Sequence, residues 1–244
     1  GFAHLGSYRS MKDYSARRIL QIQRNGLRLA LLNYTYGTNG IRVPQGTVVN
    51  LIKARTIAED LAAARKLKPD AIIVLYHYGG EYLRKPDKYQ IKWTDFALEH
   101  GADIVLGGHP HVLQPFEVRT VRDRYDDVKD RLIVCSLGNF VSNQQRRFTD
   151  GGMAFHFDLV KNPDDESPQR VRFENVRYDP VWVYVDRTGP RRQYYVLPVE
   201  EYLANDRDIK LPESAFVRMK RFHDDTSTHL APSRKAVAPP APDR

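Results

Sequence analysis

Hydrophobic positions fall into two regimes along the chain, and the change comes near residue 152. Before it, short apolar runs alternate with amphipathic stretches. Arg17 to Gln23 alternates loosely, as a strand does, and Asn25-Gly26 follows it with the two residues that best tolerate a tight hairpin turn. Leu27 to Tyr34 then reads as the partner strand, and Tyr34 to Gly40 as a loop. Ile57, Leu61, Ala64 and Leu67 share one face of a helix over Ile57 to Leu67, with Thr56 and Glu59 spaced as a capping box. Asp70 to Tyr76 is a continuous β-branched run, as in a strand covered on both faces. A helix over Tyr89 to His100, stopped by Gly101, leads to buried strands at Asp103 to Leu106 and Leu132 to Ser136. Strand–helix–strand–helix–strand order predicts a covered, largely parallel sheet.

After Gly152 the pattern predicts strands at Met153 to Val160, Arg170 to Tyr178, Val181 to Val185 and Gln193 to Val199. A last helix is expected from Pro212 to His223. From Thr226 the chain turns polar and then Ala/Pro-rich, which predicts one domain over 1–225 and a flexible tail over 226–244.

The polar residues at the strand ends matter most for function. The Asp70–Tyr76 strand runs into His77-Tyr78-Gly79-Gly80-Glu81-Tyr82, the next into Gly107-Gly108-His109-Pro110-His111, and the third into Ser136-Leu137-Gly138-Asn139-Phe140. Parallel strands collect ligands beyond their carboxyl ends, so the three segments predict one composite site. Two glycines free the backbone to turn, and Pro110 restricts the geometry between the histidines. His109 and His111 then fit a metal or an anion, with His77 as a third nitrogen, or else they serve as turn residues bonded to backbone and water. Glu81 fits a proton acceptor, a carboxylate orienting a histidine, or a surface residue. Asn139 offers an amide to a phosphate-type ligand or stabilises its own turn. Arg146 and Arg147, ahead of Asp150-Gly151-Gly152, fit an anion clamp or a solvated loop. A P-loop, a nucleophile elbow and a paired-cysteine zinc pattern are absent from the sequence.

Composition adds little. The net charge of +8 favours anionic partners, but cations alternate with acids, and no basic run interleaved with aromatics points to specific nucleic-acid binding. The single cysteine, Cys135, excludes an internal disulfide, and its apolar flank predicts a buried, inert thiol. No apolar run reaches the roughly 18 residues of a membrane span. The opening Gly1-Phe2-Ala3-His4-Leu5 does not read as a signal peptide.

Taken together, Gly6-Ser7-Tyr8-Arg9-Ser10, His77 to Tyr82, Gly107 to His111 with Gln114-Pro115, and Ser136 to Phe140 resemble the CapA family of poly-γ-glutamate capsule-synthesis proteins, over about residues 1–160. The resemblance implies an α/β, calcineurin-like metallophosphatase fold with αββα layers. It implies a divalent ion (Mn, Zn or Fe) on His77, His109 and His111, catalytic roles for His77, Glu81 and His111, and anion binding by Asn139, Arg9, Arg146 and Arg147. The family's early Asp and Asn ligands and first strands are expected upstream of Gly1, which would leave the metal site of this stretch incomplete. The resemblance further implies a bacterial, extracytoplasmic protein anchored through an upstream segment. It would work with envelope synthesis or export proteins on an anionic polymer. Three roles are compatible with that: a capsule biosynthesis factor, a metal-dependent phosphoesterase, or a non-catalytic envelope interaction module.

Overall fold

The computed structural model describes residues 3–204 and 208–237. In chain order the elements are β1 (Ser7–Tyr8), α1 (Met11–Arg17), β2 (Leu20–Arg24), β3 (Leu27–Thr35), β4 (Val48–Val49) and α2 (Ala54–Lys66). They continue as β5 (Ala71–His77), α3 (Lys88–Glu99), β6 (Ile104–Gly108), β7 (Phe116–Arg122), β8 (Val128–Val134) and β9 (Gly151–Lys161). The last are β10 (Val171–Asp186), β11 (Gln193–Pro198), α4 (Val199–Leu203) and α5 (Glu213–Val237).

A six-stranded sheet runs β2-β3-β5-β6-β8-β7. Its inner strands β3, β5, β6 and β8 are parallel, and β2 and β7 add antiparallel edges. The two-residue side-chain period of β3 explains the layering. Ala30, Leu32 and Tyr34 face α2 and α3, packing with Ile57, Leu61, Trp93 and Leu98. Leu29 and Leu31, with Ile73, Ile104 and Leu132, face the other way, onto Phe155, Phe157, Leu159 and Phe173 of a second, antiparallel sheet ordered β11-β10-β9. A third apolar cluster joins Trp182 and Leu197 to Met219, Phe222 and Leu230 of α5. The order helix–sheet–sheet–helix is the αββα layering expected from the sequence.

Four local expectations are corrected. The Arg17–Gln23 strand gives its first residue to α1 and starts at Leu20, though Asn25 and Gly26 do make the hairpin turn, with φ of 49° and 77°. Helix α2 begins at Ala54, and its N-cap Lys53 makes no side-chain cap bond, so Thr56 lies inside the helix and caps nothing. The strands expected at Arg170–Tyr178 and Val181–Val185 are one strand, β10, which continues through Pro180 with an irregularity between Glu174 and Arg177. Finally, the expected tail is helical as far as Val237. Apolar contacts keep it so: Thr226, Leu230 and Ser233 are buried, and the Ser233 hydroxyl accepts the Phe116 amide at 3.1 Å. The remainder of that tail, 238–244, lies outside the described residues.

Candidate metal centre

Because β5, β6 and β8 run parallel, their carboxyl ends meet on one edge of the sheet, and each delivers part of the site. β5 ends at His77, β6 leads into His109-Pro110-His111, and the chain after β8 supplies Asn139. Gly107 sets the closeness of this meeting. A Cβ there would lie 2.0 Å from the Cys135 carbonyl oxygen, and the Gly107 carbonyl accepts the Leu137 amide at 3.1 Å. Gly108 faces open space, so only one of the paired glycines is demanded by packing.

Both histidines sit in backbone that side chains rarely adopt, with φ of 99° at His109 and 60° at His111. Such conformations cost about 1–3 kcal/mol each and persist where the surroundings hold them. Here the Tyr82 amide donates to the Pro110 carbonyl at 2.8 Å, and Asn139 grips the turn from the other side. Its amide nitrogen donates to the carbonyls of Thr149 at 2.8 Å and His111 at 3.3 Å and to the Gln144 side chain at 3.2 Å. With its nitrogen committed to oxygens, the Asn139 oxygen is the acceptor toward His111 Nδ1, 2.9 Å away. In the neutral ring Nδ1 therefore carries the proton, and Nε2 keeps a lone pair for a ligand. That Nε2 lies 4.0 Å from Glu81 Oε1.

Ligand atoms of Glu81, His109 and His111 all fall within 4.8 Å of one another. Metal–ligand bonds of about 2.1 Å place neighbouring ligands roughly 3–3.5 Å apart, so shifts on the order of 1 Å close this group on an ion. Two imidazoles and a carboxylate suit manganese, zinc or iron. His77 stays outside the tight trio although the sequence counts it among the three metal ligands. Its ring centroid lies 4.6 Å from that of His109, and Tyr36 packs on both rings, at 6.0 Å from His77 and 4.4 Å from His109. Desolvation lowers the pKa of His77, and His109 and His111 push it further the same way. His109 is also lowered, by desolvation first, while Glu81 opposes the shift. Both rings thus stay neutral, with free lone pairs, to lower pH than an ordinary histidine.

A buried amide pair, whose pairing no local pattern announces, supports this edge. Gln114 and Gln90 are 0% and 1% exposed and exchange hydrogen bonds at 2.8 and 3.1 Å. Gln114 also donates to the carbonyls of Leu83 and Lys85, which fixes the loop behind Glu81. Asp87 caps α3 in a full capping box with Gln90, and its second oxygen accepts the Gly80 amide at 2.8 Å. The Asp-x-x-Gln spacing is a readable cap signal that the helix prediction from Tyr89 passed over.

The three arginines do not join the trio. Arg147 donates through Nε and Nη2 to the two carboxylate oxygens of Asp225 of α5, at 2.8 and 2.7 Å, so the expected anion clamp is an internal ion pair. Arg146 is exposed and its carbonyl accepts the Thr149 amide at 3.0 Å. Arg9 is exposed, and its amide is held by Asp13 at 3.0 Å. Burial pushes the Cys135 thiol up to about 12, which makes it inert at neutral pH, as expected.

Asn139→Leu tests the positioning scheme. It removes the acceptor that sets the His111 tautomer, so divalent-metal affinity is expected to fall about 10–100-fold. Titration calorimetry measures this, and unchanged affinity would refute the assignment.

Layered sheets with a histidine–carboxylate group at the ends of parallel strands define an α/β protein with a polar cluster on one edge of its main sheet. The chain belongs to the bacterial capsule synthesis protein family PGA_cap, which matches residues 1–144. That span includes Glu81, the histidines, Gln114 and Asn139, while the second sheet and α5 lie beyond it. The chain is 33% identical over 187 residues to the capsule biosynthesis protein CapA of Bacillus anthracis, covering 69% of this chain and 42% of that protein. It is 30% identical over 160 residues to the PGA biosynthesis protein CapA of Bacillus subtilis (strain 168), covering 65% of this chain and 39% of that protein. The chain thus spans about two-fifths of the length of these curated relatives. Among solved structures, Haemophilus influenzae NAD nucleotidase (NadN) aligns with 91% of this chain and 44% of its own, at a TM-score of 0.46 and 9% identity.

Proposed function

We propose that this chain acts in the biosynthesis or export of a capsule or related exopolymer, through a divalent-metal pocket that takes an anionic, phosphate-type group. The observation that carries this reading is the convergence of Glu81, His109 and His111, with the His111 lone pair turned to the pocket by Asn139. Those three side chains hold the ion. When bound, it supplies Lewis acidity toward a phosphate-type oxygen. Asn139 keeps His111 in the ligating tautomer, and the Gln90–Gln114 pair holds the Glu81 loop in reach. Tyr36 shields one side of His77 and His109.

A second reading, hydrolysis of a phosphoester or related bond, is favoured by one feature. His77 stands beside the trio, uncommitted to it and kept neutral, which suits a group that takes or gives a proton. An envelope location fits both readings, since a capsule polymer ends outside the cell. No helix among the described residues is long and apolar enough to cross a membrane.

Elemental analysis after purification with manganese, zinc or iron is the direct test. Stoichiometric metal in the parent chain, lost in the His109→Ala/His111→Ala double variant, is the expected result. A metal-free parent protein, or a double variant that still binds, would end the metal reading.

A further inference from the structure

Next to the histidine group lies a cavity of about 340 Å³, lined by Tyr36, Gly79, Gly80, Asp87 and Tyr89. Its size is at the lower end for sites that enclose a small organic group. The cavity adjoins the trio directly: Tyr36 packs on His77 and His109, and Gly79-Gly80 is the stretch of chain between His77 and Glu81.

Both tyrosines leave part of their ring surface open to solvent, at 39% exposure for Tyr36 and 40% for Tyr89. Each is nevertheless held in place. Tyr36 is backed by His109 and its hydroxyl bonds to Asn39, while Tyr89 meets the nearly buried Trp93 edge-on at 6.1 Å. Held rings with free surface offer stacking area at small ordering cost. Between them the wall is bare backbone. Gly79 has a φ of 92°, and a Cβ there would lie 2.4 Å from the Gln90 side chain, so no bulkier residue fits.

Charge narrows the occupant. No cationic side chain lines the cavity among the described residues, and its one charged group is an acid, Asp87. Both Asp87 oxygens already accept backbone amides, from Gln90 and Gly80. A second anionic group would be repelled here, and a cation would find the carboxylate already engaged. What remains favourable is an uncharged ring with a flat face.

We infer that the Tyr36–Tyr89 cavity is a subsite for a neutral six-membered ring carried by the anionic group at the histidine site. The occupant is a sugar or aryl ring esterified to a phosphate-type anion. This inference rests on the anion-binding reading above. Tyr36 and Tyr89 provide the stacking surfaces, and the glycine backbone lets the ring approach closely.

Calorimetric titration of the manganese-loaded chain with inorganic phosphate, methyl phosphate, phenyl phosphate and glucose 1-phosphate tests it. At least one ring-bearing ester is expected to bind about 10-fold tighter than methyl phosphate, the range of one or two aromatic stacking contacts. Which of the two gains tells an aryl from a sugar ring. Tyr89→Ala is expected to remove that gain while leaving phosphate and methyl phosphate unchanged, and Tyr89→Phe to retain it. Equal affinities of all three esters in the parent chain would overturn the subsite while leaving the anion reading intact. Failure of inorganic phosphate itself to bind would overturn both. The parent-chain comparison decides the matter even if Tyr89→Ala folds poorly.

Discussion

Methionine in place of Arg131 is expected to lower the free energy of unfolding by about 3–5 kcal/mol, read as a lower urea midpoint with an unchanged slope. The Arg131 side chain is 0% exposed and lies between two acids. Nη1 reaches Asp103 at 2.6 Å and the Ala102 carbonyl at 2.8 Å, and Nη2 reaches Asp123 at 2.8 Å. Asp103 has a second cation, Lys129, at 2.5 Å, and its other oxygen accepts the Ile72 amide. Among the described residues Asp123 has no further cation and relies on the amides of Tyr125 and Asp127. Removing the guanidinium therefore leaves a buried carboxylate at Asp123 without its counter-ion, and that desolvated charge is the main loss. Adding Asp123→Asn to Arg131→Met should recover part of it. A loss below about 1 kcal/mol, the size of a surface pair, would show that this cluster is far wetter than its burial indicates.

Gly107→Ala is the second large effect, expected to cost about 3 kcal/mol and to scatter the proposed metal ligands. The methyl carbon would fall 2.0 Å from the Cys135 backbone oxygen, just past the end of the neighbouring strand β8, and backbone cannot swing aside as a long side chain can. β6 and β8 must part, or the turn that follows must shift, and that turn carries His109 and His111. Gly108→Ala is the matched control, because its methyl enters open space and the residue does not need left-handed backbone. That change should be neutral or slightly stabilising. Equal damage from the two substitutions would refute the close-approach account. Urea melts and metal titration measure both effects.

The parts of this molecule legible in the sequence are those encoded locally. Unbroken apolar runs marked the parallel strands β5, β6 and β8, Asn25-Gly26 marked the hairpin, and polar residues after each of these strands marked the edge where His77, His109 and Asn139 meet. The missed features depend on partners far away in sequence. β7 alternates only over Phe116 to Val118 before Thr120 and Val121 break the period, it follows Pro115, and its strand character comes from pairing with β8. Arg147 looked free for a ligand because Asp225, 78 residues on, gives no local sign of pairing with it. Nothing local to Arg131 signals that its side chain points into a buried acid pair, because Asp103 and Asp123 are brought to it by the fold. The polar stretch from Thr226 resembled a tail because its helix is held by contacts with β7 and β10, which composition does not report. At the site itself, the residue types were readable, but the grouping of Glu81 with His109 and His111 depends on a loop shape set by Gln114 and Asp87.

The Arg131 cluster sits where β6 begins and the histidine turn where it ends, a separation of roughly 16–20 Å along the strand. At that range, free-energy changes from the two ends should sum independently. Damage to one edge can then be offset by engineering the other, so weakened variants of the ligand turn could be rescued from the opposite rim without altering what they bind.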